Sequence, residues 1–343
     1  MYGIDLALMK PGDIVFTSEE SLTSKTIRNF TGGNYSHVML CIGYGACIHA
    51  DKKGGVHSFN VQRLLAERPD QIALKRYSPC LSAETLSIID RYARLKIGTT
   101  YSIWDAVKAA PLFKKEWFKS IKIDLERPSS LQFCSRLVAQ AYCEAGIDLA
   151  ASPFSCTPAN IFDCTALTLV EKAVIRQPQE LITLVNDESK NTIKIHTDTI
   201  SKLLEQVRKR YGSTIQTLHD LEALSIMVEG ADDIVSRLTA KSGYLDLWKI
   251  DIEENPWRYE KCEFESWAVN EHERAKIAQQ ELGMAQHQLN RHLESLYITR
   301  ENYKNYPNKT FGQLIALYET LVYLAEKKVN LFSHYQQPPQ KKP

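Results

Sequence analysis

The run Gln132-Phe133-Cys134-Ser135-Arg136-Leu137-Val138 decides how this chain is read. It opens an apolar segment with helical character over about residues 134–144, stopped by Gly146. A thiol at a helix N-terminus faces free N–H groups and the positive end of the macrodipole, and both favour thiolate over thiol. Upstream, Asn34-Tyr35-Ser36-His37-Val38-Met39-Leu40 places a histidine at the head of an apolar strand. An imidazole that meets the thiol can take its proton and leave a nucleophile at neutral pH. The two lie far apart in sequence, which is ordinary for partners that meet only in the fold. Taken singly, each also reads as structural, because buried cysteine is a common inert core residue.

The surroundings of these two runs read as short strands and turns. Residues 13–16 follow a Pro11-Gly12 turn, and residues 36–43 and 46–50 flank the hairpin turn Gly43-Tyr44-Gly45. Gly54-Gly55 introduces a further strand at 56–59, and residues 72–77 form another. Ser82 is an N-cap for a helix with Leu86, Ile89, Tyr92 and Ala93 on one face, ended by Gly98. The first 165 residues are therefore α+β. Residues 166–195, with Pro178 and a polar run at 186–191, read as a linker or extension.

Beyond the linker, residues 196–335 read as all-α, a bundle or hairpin of helices. Ile200, Leu203, Leu204, Val207 and Tyr211 make one stripe, and Ile215, Leu218, Leu221 and Leu224 another. Ala278, Leu282, Ala285, Leu289, His292 and Leu296 alternate four and three apart like a coiled-coil seam. Thr310 and Gln313 form a capping-box pattern ahead of Phe311, Leu314, Tyr318, Leu321 and Ala325. Trp248, Trp257, Tyr259, Phe264 and Trp267 read equally as a small core or a partner surface. The tail 336–343, with two lysines among three prolines, reads as disordered. The helical half is left with protein partners or self-association as its candidate roles.

Composition narrows the classes. Lys+Arg number 42 against 41 Asp+Glu, so no net field recommends nucleic acid or an anionic membrane as partner. The basic clusters Lys114-Lys115 and Arg208-Lys209-Arg210 read as solvated helix surface. No run reaches the ~18–20 apolar residues of a spanning helix, and the N-terminus shows no basic region leading into an apolar one. The expectation is a cytoplasmic protein without a transmembrane segment. Eight cysteines without a C-x-x-C in so long a chain read as thiols rather than a disulfide framework. His37, Cys41, Cys47 and His49 crowd together in sequence, but His37 and Cys41 on one strand stand about 13 Å apart and cannot share a zinc ion. No metal and no cofactor are expected, and Cys41 and Cys47 read as core thiols.

Taken in order, Leu8-Met9-Lys10-Pro11-Gly12-Asp13-Ile14-Val15-Phe16, Tyr35-Ser36-His37-Val38 and Phe133-Cys134-Ser135-Arg136-Leu137-Val138 resemble the circularly permuted papain-fold cysteine hydrolases. These form the permuted branch of the NlpC/p60 superfamily, related to the lecithin retinol acyltransferase-like proteins. The resemblance covers about residues 5–165 and leaves the helical half unassigned. It implies a permuted papain-like domain, with antiparallel sheet and helices, followed by the all-α domain. It also implies that Cys134 is the nucleophile and His37 the base. A third polar residue on the neighbouring strand, often Glu in permuted relatives, is matched here by His49, with Asp51 as the fallback. Tyr35 and Gln132 are implied beside the Cys134 amide in the oxyanion site, and Tyr101 in the substrate cleft. The reaction implied is cleavage of a peptide or cell-wall-type amide through an acyl-enzyme. An acyltransferase or thioesterase acting on acyl-lipids is the alternative, and a silent domain with a partner-binding helical module the third reading.

Overall fold

The structure, a computed structural model, describes residues 1–18, 33–51, 55–100, 133–154, 156–267 and 270–335. Tyr101, Gln132, Lys114-Lys115 and the tail 336–343 lie outside the described residues. The chain forms two compact units, residues 1–219 and residues 220–343.

The first unit is organised by a six-stranded antiparallel sheet. Its strands are β2 (Ile14–Thr17), β3 (His37–Gly43), β4 (Ala46–Asp51), β5 (Gly55–Asn60), β6 (Ile72–Tyr77) and β7 (Leu167–Leu169), in the spatial order β5-β4-β3-β2-β6-β7. A separate two-stranded ribbon pairs β1 (Tyr2–Ile4) with β8 (Val174–Arg176). Both faces of the large sheet are covered, so its central strands are apolar throughout rather than alternating. One face, carrying Ile14, Phe16, Val38, Leu40, Ile48, Ala50 and Val56, packs on two helices, α1 (Ala83–Leu95) and α2 (Phe133–Glu144). The helices supply Ile89, Ala93, Leu137, Val138, Ala141 and Tyr142 to that core. On the other face Val15, Met39, Cys41, Cys47, Ile72 and Leu74 pack with Ile4 and Ala173. Cys41 and Cys47 are buried cross-strand neighbours, as core thiols should be.

Local chemistry sets these elements in place. Gly12 adopts φ +84, and a Cβ there would come within 2.7 Å of Leu81, so the turn into β2 requires glycine. The next residue, Asp13, is fully buried and takes a bidentate pair from Arg76 Nε (2.7 Å) and Nη2 (2.8 Å), plus the Lys10 amide at 2.7 Å. The Pro-Gly-Asp run is thus a turn and an ion-pair anchor between the β2 entrance and β6. Ser82 caps α1 as its sequence position implies, accepting from the Thr85 amide at 3.1 Å.

The remaining helices of the first unit are α3 (Pro158–Phe162), α4 (Gln179–Asn186) and α5 (Thr192–Tyr211). Arg208 of α5 donates to the carbonyls of Gly98, Ile215 and Gln216, and Gln216 Oε1 accepts from the Thr100 amide at 2.8 Å. These bonds tie α5 to the segment that follows α1.

The second unit contains α6 (Leu218–Met227) from Asp220 onward, α7 (Ala231–Ser242), α8 (Trp248–Glu254), α9 (Lys261–Trp267), α10 (Glu271–Asn305) and α11 (Lys309–Ser333). The expected seam is apolar and inward: Ala278, Leu282, Ala285 and Leu296 of α10 are buried. Ala278 and Leu282 join Phe264, Leu331 and Phe332 in one core, against which Trp257 packs and on which Trp267 stacks at 4.4 Å from Trp257. The cap of α11 differs from the sequence expectation. Asn308, not Thr310, accepts from the Phe311 amide (2.8 Å), while Thr310 Oγ1 donates to Asp232 (2.7 Å). Asn is the stronger N-cap, and the nearby carboxylate claims the threonine hydroxyl. Among the described residues, no helix is long and apolar enough to cross a membrane.

Candidate active site

The register of β3 explains how the start of a helix on one face of the sheet reaches the backbone of β3. Cys41 N–H bonds to Asp13 O on β2, so the even-numbered residues of β3 turn their backbone groups toward β4. Pairing of β3 with β4 is registered at Leu40↔Ile48 and beyond but not at the β3 entrance. The Val38 backbone, facing β4 past the end of that ladder, instead hydrogen-bonds the Cys134 thiol. The thiol therefore lies at the His37–Val38 peptide.

The Cys-Ser-Arg run around it is held residue by residue. Ser135 is fully buried and donates from Oγ to the Cys156 carbonyl at 2.7 Å. Arg136 stacks over the Phe154 ring at 5.3 Å, and Leu137 and Val138 enter the core. Burial pushes the Cys134 thiol up, and backbone hydrogen bonds from Val38, Ser135 and its own residue pull it part of the way back. On the histidine side, Ser36 fixes the strand entrance, bonding from its amide to Thr17 O at 3.0 Å. Tyr35 packs its ring against Phe16 (5.8 Å) and Phe162 (4.9 Å), in an aromatic cluster beside the site.

Three imidazoles form a chain. His37 Nε2 lies 2.8 Å from His49 Nδ1, and His49 Nε2 lies 3.0 Å from His57 Nε2. His57 Nδ1 in turn lies 3.1 Å from the Gly55 carbonyl oxygen. That oxygen can only accept, so His57 Nδ1 must donate. With the rings neutral, the rest follows in sequence: His49 Nε2 donates to His57 Nε2, His37 Nε2 donates to His49 Nδ1, and the lone pair of His37 is left on Nδ1. One backbone carbonyl fixes three tautomers and leaves the terminal ring ready to accept a proton. Burial holds His37 at about 4 instead of the usual 6.5; the Asp51 charge opposes that shift and His57 adds to it. Burial likewise drives His49 well below its ordinary value, helped by His37 and then His57.

His49 is the ring-nitrogen partner of His37, as the strand position implies. Asp51 instead approaches His57, with Oδ2 3.8 Å from Nε2. His57 is the residue that sequence reasoning missed. It sits directly across the hairpin from His49, in the register Ile48↔Ser58, His49↔His57, Ala50↔Val56. The signal was present in the symmetry of the two histidines about Lys53, once 46–51 and 55–60 are taken as one hairpin. Gly55 closes that hairpin at φ +68, and a Cβ there would approach Thr99 O to 2.1 Å. The anchoring carbonyl is thereby clamped by the Val56 amide bond to Thr99 O at 2.9 Å.

A permuted order of His before Cys, an antiparallel sheet and a cysteine at the first turn of a packed helix define the class: a permuted papain-like cysteine hydrolase. Residues 8–170 match the family described as "Permuted papain-like amidase enzyme, YaeF/YiiX, C92 family". This part of the chain is a thiol-dependent amide hydrolase of the cysteine peptidase kind. Among solved structures, the chain is similar to metalloprotein yiiX from Escherichia coli O157:H7 at 19% identity and a TM-score of 0.34. That similarity covers 47% of this chain and 96% of that one. No curated protein matches the chain.

Proposed function

We propose that Cys134 is the nucleophile of this amide hydrolase, His37 its base and His49 the residue that orients His37. The supporting observations are the 2.8 Å His37–His49 bond and the hydrogen bond of the Cys134 thiol to the backbone of Val38, the residue next to His37. Burial disfavours charge on both Cys134 and His37, so the pair rests as thiol and neutral imidazole. The thiol proton then passes to His37 Nδ1 as the Sγ–C bond forms on the substrate carbonyl. The oxyanion is held by the Cys134 amide at the helix N-terminus, with Tyr35 flanking; the resemblance adds Gln132 to the oxyanion site and Tyr101 to the substrate cleft, both outside the described residues. The imidazolium, still donating from Nε2 to His49, returns the proton to the leaving amine. Water, deprotonated by His37, opens the thioester and frees the acid. The substrate in this reading is a peptide amide, and the likeness to NlpC/p60-type hydrolases makes cell-wall peptides the first to assay.

The test is covalent labelling with a peptide vinyl sulfone, which acts as an electrophile at a working cysteine dyad. Mapping should find Cys134 labelled ahead of the other seven thiols, with the labelling lost in His37→Ala. Slow, equal labelling of several cysteines, unchanged in His37→Ala, would remove the dyad from consideration.

A further inference from the structure

We propose that His49, Asp51 and His57 form a binding site for a divalent transition-metal ion of zinc's kind, and that filling it switches the thiol site off. The binding half stands by itself; the switching half rests on the reading of Cys134 and His37 given above. The ligands come together by strand geometry. His49 and His57 are cross-strand partners, and Asp51 lies two residues along β4 from His49, on the same face. Nε2 of His49 and Nε2 of His57 are 3.0 Å apart, Asp51 Oδ2 is 3.8 Å from His57 Nε2, and one ligand atom from each residue lies within 4.8 Å of the others. Tetrahedral zinc, with bonds of about 2.0–2.2 Å, sets its ligand atoms roughly 3.2–3.6 Å apart. Small rotations of the carboxylate and rings therefore bring the three onto one ion, leaving a fourth position for water. Asp51 and His57 are partly open to solvent, with side-chain exposures of 36% and 15%, so an ion has a way in. No other such group is found among the described residues.

The Gly55 carbonyl prepares this site as well. By accepting from His57 Nδ1, it aims the Nε2 lone pair of that ring at the ion position, the role that outer-shell carbonyls play for ligating histidines. The consequence falls on His37. An ion on His49 Nε2 forces the ring proton of His49 onto Nδ1, facing His37 Nε2. His37 must then accept at Nε2 and carry its own proton on Nδ1, where it can no longer take one from the thiol. Two N–H groups would oppose each other if His37 became an imidazolium. Metal and acyl transfer thus demand opposite tautomers of the same bond.

Zinc is titrated into the full chain in competition with a chromophoric chelator, for the wild type and the Asp51→Ala, His57→Phe and Cys134→Ser variants. One equivalent should bind to the wild type and to Cys134→Ser, with affinity at least tenfold weaker in Asp51→Ala and His57→Phe. The Co2+ form should show ligand-field bands without thiolate-to-cobalt charge transfer. No stoichiometric binding, affinity unchanged in both ligand variants, or loss in Cys134→Ser overturns the site. For the switch, vinyl sulfone labelling of wild-type Cys134 should slow at least tenfold at saturating zinc and recover with EDTA. In Asp51→Ala the zinc needed for that slowing should rise in step with the weakened binding. Labelling indifferent to bound zinc overturns the switch. A failure of the dyad itself shows separately, as absent Cys134 labelling under EDTA.

Discussion

Truncating the histidine chain one ring at a time should produce a graded loss of rate, because its two hydrogen bonds differ in what they hold. The 2.8 Å bond from His37 Nε2 to His49 Nδ1 is neutral at rest and becomes charge-assisted when His37 takes the thiol proton. Hydrogen bonds to charged groups contribute about 1.5–3 kcal/mol against about 0.5–1.5 kcal/mol for neutral ones, so the gain on charging is about 1–1.5 kcal/mol, roughly 5- to 13-fold in rate. The 3.0 Å bond between His49 and His57 stays neutral throughout, so it stabilises the resting and transition states nearly alike, and its loss should cost the rate clearly less. His49→Phe keeps an aromatic ring against Phe59, 5.3 Å away, but removes the acceptor; His57→Phe removes only the second link. His49→Gln supplies a carbonyl acceptor and should recover most of the loss. The assay is the rate of Cys134 acylation by a peptide vinyl sulfone under EDTA, followed by mass spectrometry. Circular dichroism confirms that each variant keeps its fold. His57→Phe costing as much as His49→Phe, or His49→Phe leaving the rate intact, would refute the assignment of His49 as the residue that steadies the charged ring.

Two further predictions concern the scaffold. Arg76→Met strips the fully buried Asp13 carboxylate of both its guanidinium bonds, which should destabilise the first unit by about 3–5 kcal/mol; hydrogen exchange at the β2 and β6 amides should accelerate, and the double variant Asp13→Leu/Arg76→Met should recover part of the protection. Burial, the leading cause in both, pushes Tyr92 in the first unit and Tyr318 in the second up to about 12, so both stay neutral when folded while an unfolded tyrosine ionises near 10. Each should contribute up to about 3 kcal/mol that is fully present below pH 10 and lost as pH rises to 12, and Tyr92→Phe should remove one part of the first unit's alkaline loss in a pH series of urea melts, the fully buried Tyr142, also pushed up, keeping another.

The strands and the helix carrying Cys134 were legible because their signals are local. A Pro-Gly turn, alternating glycines and a Ser N-cap each act within a few residues. His37 and Cys134 could be paired only through a resemblance, since nothing in spacing brings β3 to the start of α2. That meeting depends on where the β3–β4 ladder ends, which is a property of the sheet and not of either strand. His57 went unread for the same kind of reason. Its partner is set by hairpin register, and a one-residue slip would have turned it to the opposite face. The cap of α11 misled because Thr310 satisfies a local pattern while a distant carboxylate, Asp232, takes its hydroxyl. The fold's long-range polar pairs, Asp13 with Arg76 and Arg208 with Gly98, likewise leave no trace in any short window.

In the proposed dyad, an imidazole in place of a carboxylate at the third position changes the character of the site. A carboxylate beside His37 would favour the charged ring at all times and hold a standing ion pair with the thiol. An imidazole can accept the same Nε2–H bond while adding no negative charge, and burial holds the His37 pKa down at about 4, so the ring is neutral near pH 7. Charge then develops on the dyad only when a substrate carbonyl is there to receive the thiol's electrons. The same choice exposes the enzyme to metal, because an imidazole has a second nitrogen that faces away from His37. On this hairpin that nitrogen points at His57, with Asp51 one step along the same face. A relay that is switchable by a transition-metal ion follows from using three histidines in series, where a carboxylate at the middle position could not pass a change of tautomer from one end to the other.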